Sequence, residues 1–156
     1  MAPLFRRGDM VWCYFPFAEA PDTPARTRHA AIIIGAFSAI EASRTLGHQV
    51  PAYGAAVAVY TSSQVRKFGD NLPIGIIQVP LERARQNKNN SAFFIDTRVR
   101  AYLPIHKEYF PDLDAPDQGL ITSIDSGLFR RIIEEFARVN ERAREQIVTV
   151  GPLRPR

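Results

Sequence analysis

The sequence predicts a mainly β, α+β fold: short strands first, one long helix last, with the strands in a small, strongly curved antiparallel sheet or barrel. Two observations carry that prediction. Apolar runs rich in β-formers recur from Asp9 to Leu103, each bounded by Gly, Pro or a polar cluster. One helical period then follows, with Leu128, Phe129, Ile132, Ile133, Phe136 and Val139 on one side and Arg130, Arg131, Glu134, Glu135 and Arg138 on the other. Twelve prolines against nine glycines favour short elements and stiff loops.

The elements follow in order. Asp9 to Phe15, between Gly8 and Pro16, reads as a strand. Pro16 to Arg28 holds Pro16, Pro21 and Pro24 and reads as an exposed loop. His29 to Gly35 is almost continuously apolar, the mark of a strand covered on both faces. Ser38 to Gly54 is ambiguous: Ala39 to Leu46 fits either a short helix or an irregular excursion. Ala55 to Thr61 is a further apolar strand, and Ile74 to Val79 another between two prolines. Glu82 to Asn90 reads as a charged connection. Ala92 to Asp96 and Val99 to Leu103 form one bent strand or two short ones. Tyr109 to Gln118, with Pro111 and Pro116, is loop. The helix should run from Ser126 to about Gln146, capped by Ser123, Asp125 or Ser126. Gly151 to Arg156 should fray.

A length of 156 residues suits one domain over residues 1–156, with a core from about 8 to 147. Apolar residues at 46% and charged residues at 23% exclude a disordered chain. No apolar run approaches the roughly 18 residues of a membrane span. The start lacks a signal-like apolar stretch, and the single Cys13 suits a reducing compartment, so a cytoplasmic protein with no membrane partner is expected. One cysteine excludes an internal disulfide and a cysteine-based zinc site. No phosphate-cradling glycine loop or nucleophile elbow occurs, and neither a cofactor nor a metal is expected. The formal charge of +4 permits a nucleic-acid partner without requiring one.

The opening Gly8-Asp9-Met10-Val11-Trp12, followed by Phe15-Pro16, resembles that of the MazF/PemK-like toxin family, the messenger-RNA-cleaving toxins of toxin–antitoxin pairs. Arg26-Thr27-Arg28-His29 then leads into a buried strand, and Thr61-Ser62 closes the next, in the family's order. Phe93-Phe94-Ile95-Asp96, Arg98 and the terminal helix also fall in that order. His29 stands where the family usually has proline, residues 38–54 look like an insertion, and Phe94 replaces an arginine found in some relatives. The resemblance implies an SH3-like small barrel of the MazF/PemK/CcdB type, a homodimer, and cleavage of single-stranded RNA without metal. It also implies silencing by a cognate antitoxin. The alternative within the same fold is a non-catalytic binding module or a gyrase-poisoning toxin homologue.

Metal-free RNA cleavage uses the ribose 2′-OH against its own phosphate, so the site must offset charge gathering on phosphorus. The resemblance places the catalytic arginine and threonine at Arg28 and Thr61. A guanidinium fork suits that phosphate, and a hydroxyl adds a donor. RNA contacts are expected from Arg26, His29, Ser62, Gln64, Arg66 and Lys67. The general base stays open. His29 has a suitable pKa, but alternation along a strand turns it away from Arg28; Glu19, in the proline-rich loop, is a candidate to orient Arg28. Cys13 reads as core, and Trp12 either packs or stacks on a base.

Overall fold

A computed structural model describes residues 4–16, 27–64, 68–142 and 146–149. The proline-rich loop at 17–26 and the tail at 151–156 lie outside the described residues. Ten elements are seen there: β1 (Asp9–Cys13), β2 (His29–Phe37), α1 (Ala39–Leu46), β3 (Ala55–Ser62), β4 (Ile76–Val79), α2 (Leu81–Gln86), β5 (Phe93–Pro104), β6 (Leu120–Ser123), α3 (Ser126–Arg142) and β7 (Gln146–Thr149). Six strands make one curled antiparallel sheet of half-barrel form, in the order β4-β5-β3-β2-β1-β6, and β7 adds parallel to β5. The mainly β architecture with a helix near the C-terminal end therefore holds, in a form compatible with a small barrel. No helix among the described residues is long and apolar enough to cross a membrane.

Both faces of the sheet are covered, which explains the continuous apolar run of β2. Val11, Cys13, Ala31, Ile33, Ala58, Ala101 and Leu103 pack beneath Tyr109 and Phe110 of the loop after β5. Met10, Ile32, Val59 and Ile95 pack on the other face against Leu128, Ile132 and Phe136 of α3. The α3 stripe seen in the sequence is thus a core stripe, with Ile133 left exposed at its margin.

Two expectations change. The segment at 82–90 is not merely a connection: Leu81 to Gln86 form α2, because Leu, Glu, Arg, Ala and Gln are all strong helix formers. α3 is described as far as Arg142, and Gln146, expected near the helix end, instead opens β7, since β-branched Ile147, Val148 and Thr149 suit a strand beside Val99–Tyr102. Strand β6, only four residues long, had no distinct sequence signal. The two candidate segments after Asn90 are one strand. Its register against β3 shifts between Val59 and Tyr60, which face Arg100 and Asp96 respectively.

The segment at 38–54 contains α1, opened by a reciprocal Ser38–Glu41 capping box and closed by Gly47 in the left-handed conformation. Its Ala42 and Val50 pack with Ala55, and Phe37 stacks on Tyr102 at 5.6 Å. It joins the Phe37 end of β2 to the Ala55 end of β3. Arg28 and Thr61 lie at the opposite end of that hairpin, so the 38–54 segment leaves their surroundings clear.

Candidate functional site

Antiparallel pairing of β2 with β3 places Tyr60 opposite Ala31, and Thr61 therefore beside Ala30 at the open end of the hairpin. Strand β1 pairs on the other side of β2, with Trp12 opposite Ala30 and Met10 opposite Ile32. Paired residues share a face, so Trp12, Ala30 and Thr61 look the same way. They border a cleft of about 250 Å³ together with Arg28, His29, Ser62, Ser63, Asn89 and Ser91. The two residues implied as catalytic, Arg28 and Thr61, are thus brought to one cleft.

Their circumstances differ. Arg28 is half exposed, stacks its guanidinium 4.5 Å over the Trp12 ring, and donates through Nη1 to Asp112 Oδ2 at 2.8 Å. Thr61 is 4% exposed, and its hydroxyl donates to the Ala30 carbonyl. Thr61 is thus a buried residue at the strand end, not an open hydroxyl. Its proton already serves the β2 backbone.

His29 behaves as alternation requires. It pairs with Cys13, on the reverse face of the sheet from Trp12, and its ring packs 5.1 Å from that of Tyr60. Burial lowers its pKa below the ordinary histidine value. Ser62 borders the cleft, and its hydroxyl accepts the Gln64 N–H at 3.1 Å; Gln64 itself is exposed and outside the lining. Arg26, Arg66, Lys67 and Glu19 lie outside the described residues. Asp96 shares the register position of Tyr60 and Ile76, away from Thr61, and is held by Arg98 Nε and Nη2 at 3.0 and 2.8 Å. Cys13 is wholly buried, which pushes its thiol pKa far up, as a core cysteine requires.

Asp112 and Asn89 carry no signal of a site role in the sequence. Asp112 lies in the proline-punctuated loop after β5, and nothing in its spacing ties it to Arg28. Asn89 borders the cleft with its amide anchored: Nδ2 donates to the Asn87 carbonyl at 2.8 Å and its backbone N–H to the Ala84 carbonyl at 2.9 Å. The helical strength of Leu81 to Gln86 was the one signal that this turn is built rather than loose. Among the described residues, no three His, Cys, Asp or Glu side chains gather to hold a metal ion. Chemically, the cleft offers one guanidinium, several hydroxyls, an amide and an indole, a set that suits a phosphate with an attached aromatic base. No protein-family model matches the chain, and no curated protein matches it.

Proposed function

We propose that this chain is a MazF/PemK-like endoribonuclease that cuts single-stranded RNA at the Arg28 cleft without a metal, working as a homodimer under a cognate antitoxin in the cytoplasm. One observation carries the reading: Arg28 and Thr61, distant in sequence, border the same cleft beside hydroxyl and indole groups. In the proposed reaction the 2′-oxygen forms a bond to phosphorus and the bond from phosphorus to the 5′-oxygen breaks. The 2′ proton passes to a base, the leaving oxygen takes up a proton, and a cyclic phosphate remains. Arg28 offsets the negative charge that gathers on the phosphate oxygens. Thr61 contributes as a donor only after turning its proton from the Ala30 carbonyl, so its share is the smaller.

A non-catalytic binding module or gyrase poison is the second reading. It draws on the fact that Arg28 and Thr61 already have partners within the chain. The deciding experiment is a time course on a long mixed-sequence RNA in EDTA, with the 3′ ends assayed for cyclic phosphate. Arg28→Ala should lower the rate by roughly 10²–10³ and leave the fold intact. Arg28→Lys should restore little, because a point charge lacks the fork. Cleavage that needs Mg²⁺, or that survives Arg28→Ala undiminished, rejects the ribonuclease. Intact RNA with gyrase-dependent plasmid breaks selects the second reading.

A further inference from the structure

Arg28 stands just before β2, whereas both groups that hold its guanidinium are fixed elsewhere. Trp12 is in β1, between β2 and β6, paired with Ala30. Asp112 belongs to the loop between β5 and β6, and that loop is stitched along β1. The Trp12 N–H donates to the Gly119 carbonyl at 3.0 Å, and the Tyr14 N–H donates to the Tyr109 carbonyl at 2.7 Å. Tyr109 and Phe110 are 1% exposed, and Leu113 packs on the same core. The Asp112 carbonyl accepts the Ala115 N–H at 2.9 Å. Gly119 adopts a φ of +81°, and a Cβ there would come within 3.2 Å of the Asp112 Cβ and 3.9 Å of the Trp12 Cβ. A glycine at 119 therefore gives Asp112 room to lie beside Trp12.

The carboxylate thus keeps its place whether or not Arg28 reaches it. Arginine has five N–H donors, and the ion pair uses one of them. An aromatic face on one side and a carboxylate at one edge fix the plane of the fork at the mouth of the cleft. A guanidinium fixed in this way loses less rotamer freedom when it grips a phosphate. We propose that Asp112 and Trp12 are positioning residues that hold Arg28 as a preassembled subsite for one phosphodiester of single-stranded RNA. The inference rests on the ribonuclease reading for the identity of the ligand, but its geometry is independent of whether the phosphate is cut.

Charge and position pull in opposite directions at Asp112, which makes the test decisive. A carboxylate beside an anion site repels the anion, so its removal should tighten binding if charge alone matters. If it positions Arg28, its removal should loosen binding. The probe is a fluorescently labelled 2′-O-methyl RNA of mixed sequence, which cannot be cut through its 2′-oxygen, followed by anisotropy. Emission of Trp12, the only tryptophan in the chain, is followed in parallel. Asp112→Ala should weaken binding about three- to fivefold, the scale of an exposed cation–π contact and ion pair. It should also move the tryptophan emission toward that of Arg28→Ala. Asp112→Asn keeps an oxygen acceptor for Nη1 and should recover the affinity lost in Asp112→Ala. Binding by Asp112→Ala as tight as that of the native chain, or tighter, overturns the proposal and makes Asp112 a competitor for Arg28. Failure of the native chain to bind the probe overturns it as well. Native binding that obeys these shifts, beside unmodified RNA that stays intact, would uphold the subsite and reject the nuclease.

Discussion

Two Arg–Asp pairs of nearly equal length do different work in this molecule. Arg83 Nη2 meets Asp125 Oδ1 at 2.7 Å, and Arg28 Nη1 meets Asp112 Oδ2 at 2.8 Å. The first pair is the knot where α2 joins α3. Asp125 also accepts the Leu128 N–H at 2.9 Å as the N-cap of α3, and the Asn87 amide at 3.0 Å, while its own N–H donates to Asn87 Oδ1. Arg83 gives its other arm to Gln86 at 2.9 Å. The second pair is a single contact at the rim of a cleft, with an indole behind the cation. Distance alone would rank them together. The number of groups each pair already satisfies separates a structural junction from one that retains donors for a ligand.

The sharpest break of that comparison is Asp125→Ala. It removes a helix cap together with the acceptor for Arg83 and Asn87, and should cost about 2 kcal/mol, discounted for the partial exposure of both side chains. The RNA binding proposed for the cleft should be untouched. The same residue gives a pH signature. Burial pushes the Asp125 carboxyl up, but the Leu128 N–H, the Asn87 amide, Arg83 and the Gly127 N–H together bring it below its ordinary value of 3.8. The unfolded chain therefore binds this proton first. The stabilisation is complete above that ordinary value and is lost as pH falls through the lower folded one. Denaturant melts of the native chain and Asp125→Asn should diverge above pH 4 and converge in stronger acid. Equal separation at all pH values would show that Asp125 acts as a cap without its charge.

The junction and the cleft were unequally legible in the sequence. Strands with long apolar runs, such as β2 and β3, announced themselves because burial on both faces leaves no polar positions. The α3 stripe did so through its period. Asp125 was one of three cap candidates, since Ser, Asp and Ser crowd that helix start. What stayed hidden depends on tertiary pairing. Asp112 meets Arg28 only because a loop is stitched along β1. Strand β6 exists because β1 offers it an edge, and β7 because β5 offers another. Arg28 and Thr61 were reached through resemblance. Composition says only that the chain is mildly basic, and the hydrogen bond from Thr61 to Ala30 requires knowing which strands are neighbours.

Thr61 mixes the two regions: it borders the cleft, yet its hydrogen bond is satisfied internally, like those of Asp125. Its role in stability should therefore exceed that of an exposed threonine. Thr61→Ala leaves the Ala30 carbonyl without its hydroxyl partner and should cost about 1 kcal/mol. Thr61→Ser should recover most of that loss. Thermal melts of the three proteins measure it. An Ala variant as stable as the native chain would mean that water replaces the hydroxyl, placing Thr61 with the open cleft rather than with the junction.

The smallest effect belongs to Asp112, and its smallness completes the comparison. Arg28 is 52% and Asp112 30% exposed in their side chains, so water screens the attraction. Ordering a long arginine side chain also costs entropy that a single contact barely offsets. Asp112→Ala should therefore change stability by no more than about 0.5 kcal/mol in a urea melt, against about 2 kcal/mol for Asp125→Ala. The loop should stay in place without the carboxylate, because Tyr109, Phe110 and Leu113 hold it through the core. A loss near that of Asp125→Ala would make the cleft pair a second structural junction. A loss near zero, beside a measurable change in RNA binding, would mean that the fold holds Asp112 in place for what Arg28 does rather than for stability.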